Sequence, residues 1–208
     1  MDREQFFNEW SELHGGANVT GFTRGWLGFS YIVVKPLSKV GVTPNSISYL
    51  GLLLGVFTWF SSRSYWAPLF LMFSLIADGI DGSLAITSES VTRWGAILDS
   101  VIDRIVEFFW ALAFIQIGAP KIIIGIAWVA ALTQEYLRAR TAGVGYRTIR
   151  VITIAERPVR AIFLAIGFLN YFSHLRLIAL VAGIWMVAQV ISLVMVFRDS
   201  YSALSSNN

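Results

Sequence analysis

Four aspartates stand inside apolar sequence, and this limits what the chain can fold into. Asp78 and Asp81 lie within the apolar stretch 65–86, and Asp99 and Asp103 within the stretch 95–118. An ionisable side chain at membrane depth costs roughly 2.5–3.5 kcal/mol on insertion scales, so four of them require compensation. Hard divalent cations take carboxylate oxygens and are the natural partner. Asp78 and Asp81 are spaced i,i+3 and Asp99 and Asp103 i,i+4, so each pair shares one helix face. The intervening Thr87–Trp94 is polar. An antiparallel helical hairpin closed there sets Asp81 opposite Asp99 and Asp78 opposite Asp103, about two or three turns from its end at the helical rise per residue. Gly79, Gly82, Ala85, Gly95 and Ala96 keep the hairpin thin where a ligand or a second backbone would approach.

Composition gives these stretches their setting. The chain has 208 residues, 56% hydrophobic and 14% charged, with a mean hydropathy of +0.64. That is the balance of an integral membrane protein of one domain. The absence of cysteine excludes disulfides and thiolate metal sites, and nothing in the pattern calls for nucleic acid. Residues 1–20 do not read as a signal peptide. Phe22, Trp26, Phe29, Val33, Leu37 and Val40 recur at helical spacing, with Arg24, Lys35 and Lys39 supplying charge; this predicts an amphipathic helix at the membrane interface, or packed on the bundle, or both. Six transmembrane helices are expected over 46–62, 65–86, 95–117, 120–141, 158–173 and 176–197. The chain thus reads as an all-α six-helix membrane bundle: a cytoplasmic N-terminus with the interfacial helix over 1–45, a membrane domain over 46–198, and a cytoplasmic tail over 199–208, with Tyr201–Asn208 lacking ordered structure.

Charge sets the orientation. With both termini inside, Arg3, Arg24, Lys35, Lys39, Arg93, Arg104, Arg138, Arg140, Arg147, Arg150, Arg157, Arg160 and Arg198 fall on the cytoplasmic side. Arg63, Lys121 and Arg176 fall outside. This positive-inside bias places the aspartates at the cytoplasmic end of their hairpin.

The carboxylate pattern resembles the signature of the CDP-alcohol phosphatidyltransferases, D-x-x-D-G-x-x-A-R-x(8)-G-x-x-x-D-x-x-x-D. Every fixed position is present except one: Ile86 stands where the signature has arginine. Pro44-Asn45-Ser46-Ile47-Ser48 is similar to a stretch the family carries near the nucleotide, although Asn45 or Ser46 could equally cap a helix. Gln134–Arg140 and Glu156-Arg157-Pro158-Val159-Arg160 are similar to segments of members that act on phosphorylated acceptors. The resemblance implies an enzyme of phospholipid biosynthesis that transfers a phosphatidyl group from CDP-diacylglycerol, or a similar CDP-lipid, to an alcohol, releasing CMP. It implies Mg²⁺ or Mn²⁺, as a pair of ions, on Asp78, Asp81, Asp99 and Asp103, with Asp103 also the general base. It implies CDP-lipid contacts from Asn45, Gly82, Ala85 and Gly95, acceptor-phosphate contacts from Arg138, Arg157 and Arg160, and a homodimer. Arg93 is a candidate to replace the charge missing at position 86. The arginines point to an anionic acceptor, for which arginine forks are suited. Glycerol 3-phosphate or phosphatidylglycerol ranks first and inositol phosphate next. A catalytically altered paralogue and, remotely, a transporter with buried carboxylates are the rival readings.

Overall fold

A computed structural model describes residues 1–13, 16–146 and 151–205, apart from the side chain of Phe22; His14, Arg147, Arg150 and residues 206–208 lie outside the described residues. Among the described residues the regular structure is entirely α-helical: α1 (Arg3–Leu13), α2 (Gly21–Lys39), α3 (Pro44–Phe60), α4 (Ala67–Thr87), α5 (Arg93–Gln116), α6 (Lys121–Gly143), α7 (Arg157–Phe172) and α8 (Ile178–Ser205). The chain divides into two compact units, Met1–Gly55 with Met72–Val106, and Val56–Leu71 with Glu107–Asn208.

Local chemistry explains where the helices of the first unit begin. Asp2 Oδ1 accepts from the Gln5 backbone N–H, and Gln5 Oε1 from that of Asp2, each at 2.9 Å. This is a reciprocal capping box, and Met1 packs against the cluster that contains Phe6, at the spacing of a hydrophobic staple. It starts α1, a helix that the mixed charge of residues 1–20 conceals. Thr43, rather than Asn45 or Ser46, caps α3, its Oγ1 accepting from the Ser46 N–H at 3.3 Å with Pro44 in the first helical turn. Thr92 does the same for α5, accepting from Gly95 N–H at 3.0 Å.

Small residues then allow close packing. Ser74 Oγ donates to Gly51 O at 2.9 Å, and a Cβ on Gly51 would stand 3.4 Å from Ala77 Cβ. A Cβ on Gly55 would stand 3.0 Å from Val106. α2 buries Leu27, Tyr31 and Val34, half-buries Trp26, Val33 and Leu37 in the same clusters, and exposes Phe29 and Ile32, with Val40 exposed just after its end. It therefore has both a packed face and a free apolar face. In the second unit, α8 packs along α6 and against α7. α8 continues helical to Ser205, with Ser200 and Ala203 buried; Tyr201–Ser205, the described part of the expected unstructured tail, are instead the end of this helix.

Among the described residues three helices are long and apolar enough to cross a membrane: Ala67–Thr87, Lys121–Gly143 and Ile178–Ser205. A fourth span arises if Thr23–Lys39 and Pro44–Phe60, bent by 117°, count as one. The remaining expected spans miss these criteria for particular reasons. α3 and α7 are only 17 and 16 residues long, and every 18-residue stretch of α5 carries Asp99, Asp103, Arg104 and Glu107.

Candidate active site

α4 and α5 bring the aspartates of the first unit together. One carboxylate oxygen from each of Asp78, Asp99 and Asp103 lies within 4.8 Å of the others, and all three side chains are half-buried. Asp81 is buried beside Asp99. It is fixed by the Ser48 hydroxyl, which donates to Oδ2 at 2.6 Å, and by the Gly82 N–H, which donates to Oδ1 at 2.6 Å. The expected hairpin therefore forms with its carboxylates converging. Like charges this close repel unless a cation or proton lies between them. Oxygen ligands of one Mg²⁺ ion at about 2.0–2.1 Å stand at most about 4.2 Å from one another, inside this distance, so the all-oxygen donor set fits such an ion. Arg104 approaches Asp103 at 3.7 Å.

The residues expected to meet the CDP-lipid frame this cluster. A Cβ added at Gly82 would meet open space, so a ligand can reach the helix backbone between Asp81 and Ala85. A Cβ at Gly95 would lie 3.6 Å from Asn45 Oδ1, so Asn45 and Gly95 adjoin. Ala85 is half-buried and Arg93 is exposed. Ile86 is 3% exposed and faces Phe6, Phe7, Leu27 and Tyr31.

The arginines belong to the second unit. Arg138 makes a two-pronged contact with Glu156, at 2.9 and 2.6 Å, and approaches Glu135 at 3.6 Å. Burial alone would raise the Glu156 carboxyl. The bonds from Arg138 and from the Thr153 N–H and hydroxyl outweigh it and hold the carboxyl down at about 2. Arg157 lies over the Trp110 ring at 5.4 Å. Arg160 differs from the expectation of a residue open to an acceptor. It is 3% exposed, and its guanidinium is engaged inward. It donates to both Glu107 oxygens at 2.8 and 3.0 Å, to Glu135 at 2.9 Å, to Gln189 Oε1 at 3.0 Å and to Ala155 O at 2.9 Å. Gln189 in turn donates to Gln134. A small cavity lined by Glu107, Trp110, Trp128, Trp185 and Arg160 lies along this network. Sequence reasoning missed Ser48 and the carboxylates Glu107, Glu135 and Glu156. Glu135 and Glu156 lie in the segments noted for their arginines, and for Glu107 the signal is that a charged residue in an apolar helix needs a partner.

Comparison with known proteins gives a consistent result. The family model for CDP-alcohol phosphatidyltransferase matches residues 41–197. The chain is 29% identical over 164 residues to a phosphatidylinositol phosphate synthase from Mycolicibacterium smegmatis, covering 73% of this chain and 72% of the relative. It is 27% identical over 173 residues to an archaetidylinositol phosphate synthase from Pyrococcus horikoshii, covering 81% of this chain and 87% of that one. Among solved structures, the fold is similar to Mycobacterium tuberculosis phosphatidylinositol phosphate synthase with CDP-DAG bound. The TM-score is 0.71 at 23% identity, over 83% of this chain and 93% of that one. The same score and identity hold for that enzyme in complex with manganese and citrate.

Proposed function

This chain belongs to the CDP-alcohol phosphatidyltransferase family, and we propose that it transfers the lipid-phosphate group of a CDP-lipid to inositol phosphate, releasing CMP. The relatives reverse the order of acceptors reached from the sequence. Both of the curated relatives described above are inositol phosphate lipid synthases, one with phosphatidyl and one with archaetidyl chemistry. They support inositol phosphate above glycerol 3-phosphate or phosphatidylglycerol. The observation that carries the reaction is the convergence of Asp78, Asp99 and Asp103, with Asp81 pinned beside them.

Asp78, Asp81, Asp99 and Asp103 would hold Mg²⁺ or Mn²⁺, which neutralises diphosphate charge and stabilises the attacking and leaving oxygens. The protein's own part is positional. Asn45, Gly82, Ala85 and Gly95 admit the nucleotide and its diphosphate. Asp103 receives the proton of the acceptor hydroxyl as that oxygen attacks the β-phosphorus. A carboxylate beside cations is a weak base, so its competence rests on placement. Arg138 and Arg157 recognise the acceptor phosphate, while Arg160 holds Glu135 and so positions Arg138. Around this site we read six spans, an interfacial α2 whose exposed Phe29 and Ile32 enter the membrane surface, cytoplasmic termini and site, a membrane domain over 46–198, and a homodimer. The positive-inside charge bias supports the sidedness.

The test is CMP release by purified protein in detergent from CDP-diacylglycerol with Mn²⁺. The acceptor panel is inositol phosphate, glycerol 3-phosphate, phosphatidylglycerol, inositol and serine. Release with inositol phosphate at least tenfold above the others is expected. Asp103→Asn should lower it by roughly 10²–10⁴, the range for a lost general base. Preference for glycerol 3-phosphate would overturn the acceptor assignment, and full activity of Asp103→Asn would overturn the base.

A further inference from the structure

We propose that Ile86 is the docking socket of α1, and that α1 seated there positions the aspartate-bearing face of α4 by clamping α2 against it. Position 86, where the signature has arginine, then serves packing and makes no contact with the diphosphate. The positioning part rests on the reading of the aspartates as a metal site.

Ile86 is buried with Phe6 and Phe7 of α1 and Leu27 and Tyr31 of α2, and Met1, Trp10, Val19 and Trp26 close the edges of the cluster. Polar contacts hold α1 in register. The Tyr31 hydroxyl donates to Met1 O at 3.0 Å and accepts from Lys35 Nζ at 3.0 Å. Arg24 pairs with Glu4 at 3.1 Å. The guanidiniums of Arg3 and Arg24 lie 5.3 and 5.2 Å from the Phe7 ring centroid. The Arg3 guanidinium lies over Gly28. A helix this short is marginal alone, so its apolar docking face, which includes Ile86, is what keeps it folded.

The link to the aspartates runs along one face of α4. Gly79 and Ile86 are seven residues apart and so nearly eclipsed on the helix. A Cβ at Gly79 would collide with the Trp26 indole. Trp26 packs against both the Ile86 cluster and the neighbouring cluster of Val34, Ile47, Ala77, Ile80 and Leu84. The indole thus presses on α4 at the residue following Asp78 and two residues before Asp81. A guanidinium at position 86 would enter a group of rings, where an uncompensated charge is costly, and would expel α1.

The experiment compares Ile86→Arg, Phe6→Ala with Phe7→Ala, the combination of all three, and Ile86→Val. It reads trypsin cleavage at Arg24 and Mn²⁺ affinity, neither of which needs turnover. Ile86→Arg and the paired phenylalanine variant should each speed cleavage at least tenfold and weaken Mn²⁺ binding at least threefold. The combination should be within twofold of the worse of the two, because the socket is already empty. Ile86→Val should keep protection and affinity within twofold of the parent. Unchanged protection in Ile86→Arg, additive losses in the combination, or lost protection with unchanged Mn²⁺ affinity would each overturn the proposal. If Ile86→Arg does not fold, Ile86→Ala and Phe7→Ala, singly and together, give the same comparison. Normal protease behaviour in a protein that binds no Mn²⁺ would instead fault the metal reading.

Discussion

The two units of this protein handle carboxylates in opposite ways. In the first, Asp78, Asp99 and Asp103 are gathered against one another within 4.8 Å. In the second, Glu107, Glu135 and Glu156 are gathered against Arg160 and Arg138. The second arrangement gives each carboxylate an arginine partner and fixes a shape. The first gathers acids into an all-oxygen donor set that fits a divalent cation. The difference separates the proposed ion site from a framework of ion pairs, even though both are clusters of acids in or beside apolar helices.

The largest expected effect lies in the compensated unit. Arg160→Met leaves Glu107 buried beside an apolar side chain, and losing one partner of a buried pair costs roughly 3–5 kcal/mol. Thermal unfolding of Arg160→Met should show a marked drop, partly restored by adding Glu107→Gln. Equal stability of Arg160→Met and the parent would mean that this network is not what holds the second unit.

A smaller, pH-dependent effect is expected at Glu156. Its carboxyl is held at about 2 in the fold against an ordinary value of 4.5. The charged form is therefore favoured by folding. Its contribution is complete above the ordinary value and drains as pH falls from 4.5 toward 2. The melting temperatures of Glu156→Gln and the parent should differ most near neutrality and converge as pH drops through this window. A gap that does not change with pH would contradict the assignment.

The legible parts of the fold were those carried by local period. The aspartate pairs lie at i,i+3 and i,i+4, and their hairpin follows from the polar residues between them. Helices α2 to α7 fall within a few residues of the apolar stretches. α1 was missed because eleven mixed-charge residues carry little periodic signal, although the Asp2–Gln5 capping box was readable. The partners of Arg160 lie 53, 25 and 29 residues away in sequence, and no local rule pairs residues at that distance. The same holds for Ile86, whose isolated departure from the signature acquires meaning only when Phe6 and Phe7 arrive from the other end of the unit.

Mn²⁺ binding followed by electron paramagnetic resonance, on the parent, Asp99→Asn and Glu156→Gln, tests the distinction between the two units most directly. Asp99→Asn should bind at least tenfold more weakly than the parent, and Glu156→Gln should bind like the parent at neutral pH. Parent-like binding by Asp99→Asn, or its loss in Glu156→Gln with the fold intact, would contradict the placing of the ion on the aspartates.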